Sequence, residues 1–130
     1  MKKIVFLSLL LFFSCEFINK SEVVLISNLD EIGLDYKDRF IIDVRSQDEY
    51  DLGHIPNALN FDFYSETFWD TILTLQKDKS IILYCRTNNR STKTAKFMQE
   101  NGFMDISVIK GGITEWVKNG KDINYTTYSK

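Results

Sequence analysis

Short apolar runs alternate along this chain with segments whose apolar positions recur at helical spacing. Val23-Val24-Leu25-Ile26 is a β-branched run of strand length, and Arg39-Phe40-Ile41-Ile42-Asp43-Val44-Arg45 is the next. The continuous apolar centre of the second predicts a strand covered on both faces. Between them, Asn28 is placed to cap a brief helix over Leu29–Ile32, with Gly33 as its stop. Ser46-Gln47-Asp48-Glu49 is a capping box, and Gly53 ends the short helix it opens. His54-Ile55-Pro56 reads as a turn and Ala58-Leu59-Asn60-Phe61 as a short strand. Ser65 can cap a helix whose apolar stripe is Phe68, Trp69, Ile72, Leu73 and Leu75.

The charged turn Lys77-Asp78-Lys79 leads into the most apolar strand, Ser80–Tyr84, with Cys85 at its carboxyl end. A helix follows from Ser91 or Thr92 to about Asn101, with Ala95 and Met98 inward and Gly102 placed to end it. Ile106–Ile109 is a further strand. Gly111-Gly112 makes a tight passage into a helix over Ile113–Lys118, which Gly120 closes, and residues from about Tyr125 read as a loose tail. The alternation predicts an α/β domain with a mainly parallel central sheet and helices on both faces. Ligands of such sheets sit outside the carboxyl ends of the strands, which is where this pattern puts Cys85.

Composition adds little to this picture. Apolar content of 44% and charged content of 26% are those of an ordinary globular domain, and 130 residues suggest one. A net charge of −2 gives no electrostatic case for nucleic acid. The N-terminus reads separately. Lys2 and Lys3 precede a ten-residue apolar run, Ile4–Phe13, about half of what a membrane-spanning helix needs. A charged start, a short apolar core and a small residue describe an export signal over residues 1–14. Ser14-Cys15 resembles a bacterial lipobox, although Phe12 stands where Leu is usual. The expectation is a lipid on Cys15, a tether over 15–21, a domain over 22–124 and a tail over 125–130, held at the membrane in the periplasm or cell envelope, with ordinary secretion or an uncleaved anchor as the alternatives. Removing residues 1–14 takes two lysines and no acid, so the charge becomes −4. The two cysteines of an exported chain could also pair, but a lipid on Cys15 would leave Cys85 as the only free thiol.

The chemistry centres on Tyr84-Cys85-Arg86-Thr87-Asn88-Asn89-Arg90-Ser91. A thiol between a strand end and a helix start, with two arginines beside it, is in the setting that favours thiolate and holds an anion. The plainer reading, a core cysteine, sits poorly with six polar or charged residues in succession. Four separated stretches then resemble the single-domain rhodaneses. They are Ile42-Asp43-Val44-Arg45 with Asp48-Glu49-Tyr50; Gly53-His54-Ile55-Pro56-Asn57-Ala58; the Cys85 stretch; and Gly111-Gly112-Ile113 with Trp116 and Gly120. They occur in the family's order and spacing over about residues 22–124. Asn88 stands where the family often has Gly, and Asn is one of the few residues that tolerate a left-handed backbone.

The resemblance implies a sulfurtransferase. Cys85 would take sulfane sulfur from a small anion such as thiosulfate, hold it as a persulfide, and yield it to a thiol or cyanide. Backbone N–H groups from Arg86 through Thr87, Asn88, Asn89 and Arg90 to Ser91 would face the sulfur, and Arg86 and Arg90 would meet the donor's oxyanion. For Arg90 the other reading is a brace against a carboxylate. Asp43 and Arg45 read as a structural pair, and His54 as a brace of its turn. No cofactor is implied, and no second His or Cys is placed to hold a metal. Two alternatives stay open: a persulfide carrier or protein-binding module without metabolic turnover, and a Cys-loop-Arg phosphatase. Against the phosphatase stand four residues rather than five between Cys85 and Arg90, and Tyr84 in place of His.

Overall fold

The computed structural model describes residues 23–26 and 39–126. The export signal over residues 1–14, Cys15, the tether, the helix expected over Leu29–Ile32 and residues 127–130 lie outside the described residues. The strands are β1 (Val24–Ile26), β2 (Phe40–Asp43), β3 (Leu59–Asn60), β4 (Ser80–Tyr84) and β5 (Asp105–Ile109). They form one sheet in the order β1-β5-β4-β2-β3, and every pairing is parallel. The helices are α1 (Gln47–Asp51), α2 (Phe68–Leu73), α3 (Asn89–Glu100) and α4 (Gly112–Lys118). The α/β class and the parallel sheet are thus as the alternation predicts.

Strand alternation sorts the core into two layers. Ile81, Leu83 and Cys85 join Ile42, Ile106 and Val108 on the face covered by Phe68 and Ile72 of α2 and Ala95 and Met98 of α3. Ile82 and Tyr84 join Ile41 and Ile109 on the other face, against Ile113 and Trp116 of α4, with Tyr50 of α1 at the margin. Burial of β4 on both faces accounts for its unbroken apolar run, and its bounds match the expectation residue for residue.

Several boundaries differ from the sequence reading. Helix α2 starts at Phe68 with Thr67 as its cap, two residues past Ser65, whose hydroxyl instead accepts the Thr67 N–H at 3.3 Å. Only Phe68 and Ile72 of its stripe are buried. Trp69 and Leu73 are exposed, and Trp69 meets Phe68 edge to face and Phe97 at a tilt at the rim. Helix α3 starts at Asn89, two or three residues before the position read from the sequence. Of residues 125 and 126, read as loose tail, Thr126 meets the end of α1. Thr126 N–H reaches the Asp51 carbonyl at 3.4 Å, and Asn124 exchanges two 2.8 Å backbone bonds with His54.

Candidate active site

Cys85 follows β4 directly, at the carboxyl edge of the sheet, and carries a free thiol. Its side chain faces the α2/α3 layer and is 2% exposed. That is deeper than six polar neighbours in the chain suggest. The cause is the strand period: Cys85 inherits the inward face of Ile81 and Leu83, while the polar residues that follow climb over it. The hydroxyl of the wholly buried Ser91 points at Cys85 Sγ from 3.4 Å and at the Asn88 carbonyl from 3.2 Å.

The loop between β4 and α3 is short, because Asn89, Arg90 and Ser91 already form the first turn of α3. Its backbone is held from the other side by the start of α4. Ile113 N–H donates to the Cys85 carbonyl at 3.0 Å, and Thr114 donates to the Arg86 carbonyl through its N–H at 3.2 Å and its hydroxyl at 2.8 Å. No peptide here is cis, so the N–H groups of Arg86 and Thr87 point away from α4. Gly112 makes this approach possible. A Cβ there would lie 2.3 Å from the Cys85 carbonyl oxygen and 2.5 Å from that of Thr87, at a φ of +58°. Among the described residues, the N–H groups of 86–91 reach no protein acceptor; Thr92 N–H is the first to do so, on the Asn88 carbonyl at 2.9 Å. None of the six donates to Cys85 Sγ, so the expected cradle around the bare sulfur reduces to the Ser91 hydroxyl.

Asn88 departs from its expected role. Its φ of −139° is not left-handed, and its side chain does the work instead: Oδ1 accepts the Gly111 N–H at 2.7 Å, tying the loop to the end of β5. Among the described residues, the positive φ of a non-glycine residue falls at Asn57 (64°), in the turn before β3.

The two arginines separate. Arg90 is a brace. It grips Glu49 with two hydrogen bonds of 2.6 and 2.8 Å and lies over the Tyr64 ring. Glu49 also closes the capping box of α1 by accepting the Ser46 N–H at 3.1 Å. The Arg90 hydrogen bond, aided by Ser46, outweighs partial burial and holds the Glu49 carboxyl down at about 2. Hydrogen bonding to Glu49 raises Arg90 in return. Arg86 is exposed, and among the described residues its guanidinium meets no carboxylate.

Behind β4, on the opposite face from Cys85, Asp43 and Arg45 form the expected pair, with contacts from 2.6 to 3.0 Å. Arg45 also donates to the Gly53 carbonyl at 2.7 Å. Burial opposes its charge, but Asp43 overcomes that and the guanidinium is raised. Tyr84 lies beneath Arg45, and its hydroxyl accepts the Ile55 N–H at 3.0 Å. Burial, then the charge of Asp43, pushes its phenol far up, so it stays protonated. His54 stacks on Tyr50 with ring centroids 3.8 Å apart, and its Nδ1 lies 3.0 Å from the Tyr50 carbonyl, the bracing role read for it. Sequence reasoning missed the roles of Thr114 and Glu49 at the loop. The Gly111-Gly112 pair was the one available signal for the first.

The comparisons with known proteins point one way. The family model described as a rhodanese-like domain matches residues 24–119. The tRNA uridine(34) hydroxylase of an Escherichia coli strain is 37% identical over 93 residues, and that of Cronobacter sakazakii 36%. These matches cover 68% of this chain but 27% of those proteins' length. Among solved structures, a rhodanese-related protein from Thermoplasma volcanium superposes with a TM-score of 0.67 at 25% identity, over 80% of this chain and 98% of that one. A rhodanese-like domain protein from Staphylococcus aureus gives 0.65 at 25% identity, over 82% and 99%. The chain belongs to the rhodanese-like domain family.

Proposed function

We propose that this protein is a sulfurtransferase that carries sulfane sulfur on Cys85. One observation carries the reading: a lone described thiol at the carboxyl end of a central parallel strand, under a short loop whose free N–H groups no protein atom uses. In the first step Cys85 Sγ, its proton lost to solvent, bonds to the sulfane sulfur of a small anionic donor such as thiosulfate. The donor's S–S bond breaks and sulfite leaves with the electron pair. In the second step a thiol or cyanide bonds to that outer sulfur, and the pair in the Cys85 S–S bond returns to Sγ.

The outer sulfur of a persulfide stands about 2 Å beyond Sγ. It therefore extends past the bare thiol, toward donors that stop short of Sγ itself. The exposed, uncommitted Arg86 is the cation that meets the donor's oxyanion. Arg90, being occupied by Glu49, shapes the loop and does not bind the donor. The hydroxylation named for the tRNA-acting relatives belongs to proteins of which this domain spans about a quarter, and only the sulfur step is assigned to this chain.

The test is thiosulfate:cyanide exchange by the full chain and by Cys85→Ser. Wild type is expected to turn over and Cys85→Ser to show none at an unchanged urea midpoint; activity persisting in the variant removes Cys85 from the reaction. The deep thiol also favours a second reading, a carrier that loads sulfur but exchanges it slowly. A stable mass increase of one sulfur atom on Cys85, with negligible turnover, would select it.

A further inference from the structure

The first N–H groups of a helix have no partner inside it. In α4 no capping side chain meets them, because Gly111 stands at the cap position and has none to offer. The backbone of the Cys85 loop meets them instead. Ile113 N–H donates to the Cys85 carbonyl at 3.0 Å, and Thr114 N–H to the Arg86 carbonyl at 3.2 Å. The Thr114 hydroxyl donates to the same Arg86 oxygen at 2.8 Å, the shortest of the three bonds. Of these three donors only that hydroxyl can be removed without touching the helix backbone. Thr114 is otherwise exposed, so its side chain has little packing to lose.

The direction of a carbonyl fixes the direction of the N–H across its trans peptide bond. The Arg86 carbonyl points to α4, which packs on the sheet face opposite the Cys85 side chain. The Thr87 N–H therefore points toward the side that holds the thiol, and among the described residues no protein acceptor takes it. Resting on the sulfurtransferase reading above, we infer that Thr114 is a positioning residue for the transfer: through the Arg86 carbonyl, its hydroxyl sets the Thr87 N–H to donate to the outer sulfur of the Cys85 persulfide. As Sγ bonds to the sulfane sulfur of thiosulfate, the donor's S–S bond breaks and its electron pair leaves on sulfite. The transferred sulfur, about 2 Å beyond Sγ, keeps its negative charge, and the Thr87 N–H stabilises it there. Without the hydroxyl, the peptide is held by the 3.2 Å N–H alone. A turn of that peptide then sets a carbonyl oxygen, rather than an N–H, against an anionic sulfur.

Thr114→Val keeps the shape and the backbone N–H and removes the hydroxyl; Thr114→Ser keeps the hydroxyl. The full chain is loaded with thiosulfate, mass spectrometry reads the sulfur gained on Cys85, and the amide resonance of Thr87 is followed. Wild type and Thr114→Ser are expected to gain one sulfur atom and to move the Thr87 proton downfield, a shift that Thr114→Val loses. In thiosulfate:cyanide exchange, kcat/KM for thiosulfate is expected to fall about tenfold in Thr114→Val and to recover in Thr114→Ser. The value for cyanide is expected not to fall, because the lost bond stabilises the persulfide and not its discharge. Equal falls for both substrates would make Thr114 a structural residue and overturn the assignment. An unchanged kcat/KM for thiosulfate in Thr114→Val would also overturn it, as would a loaded wild type whose Thr87 proton stays in place. A wild type that gains no sulfur overturns the transferase reading itself, and the role of Thr114 with it.

Discussion

At the scale of single residues, the site turns on what each side chain is already doing. Two arginines follow the cysteine in sequence, and from spacing alone either could meet a substrate. Arg90 has its two shortest bonds to Glu49, so its charge is matched before any ligand arrives. Arg86 has no such partner among the described residues. Ser91 reads from the sequence as the end of the loop or the start of the helix, yet its hydroxyl donates to Cys85 Sγ. Ser91→Ala is expected to lower kcat/KM for sulfur transfer about tenfold and stability by about 1 kcal/mol. Steady-state kinetics with urea unfolding separate the two; a midpoint collapse that accounts for the whole activity loss would reduce Ser91 to a packing role.

At the scale of elements, two contacts hold the loop between α1 and α4. The Glu49–Arg90 pair joins α1 to α3 across 41 positions of sequence. The folded Glu49 carboxyl sits near 2, against an ordinary 4.5, so its contribution is fully present above about pH 4.5 and is lost as pH falls through about 2. The pair is partly open to solvent, so its worth is about 1–2 kcal/mol. Urea unfolding of wild type and Glu49→Gln should differ by that amount near neutral pH and converge at about pH 2; a gap that persists there would place the stabilisation elsewhere. On the other side, Gly112 lets α4 touch the loop backbone. Gly112→Ala is expected to cost about 3 kcal/mol and most of the activity, because its Cβ meets two carbonyl oxygens that cannot swing aside. Gly120→Ala, at φ +70° with nothing within 4 Å, should cost about 1 kcal/mol and leave activity intact. Equal losses in the two variants, by thermal unfolding and kinetics, would mean that backbone angle rather than contact matters at Gly112.

At the scale of the whole molecule, the export signal and the lipid on Cys15 stay proposals. Cys15→Ala is expected to move the protein from the membrane fraction to the soluble one on cell fractionation, and continued retention would count against the lipid. What the chain alone determined is the local order. An unbroken apolar run predicts β4 because a strand covered on both faces has no polar side to show. The capping box predicts α1 because its donors and acceptors lie three residues apart. The strand-helix alternation fixes the parallel sheet and so the edge on which Cys85 stands. The tertiary structure decided everything that joins distant positions. Glu49 rather than a ligand takes Arg90, Asn88 reaches Gly111 instead of turning left-handed, and Ile113 and Thr114 draw the Cys85 and Arg86 carbonyls toward α4. Such choices depend on which side chains arrive at the same place with matching charge and hydrogen-bonding groups, and spacing along one chain does not record that. The depth of Cys85 belongs to the same class, since polar neighbours in sequence say nothing of what folds over a strand's last inward position.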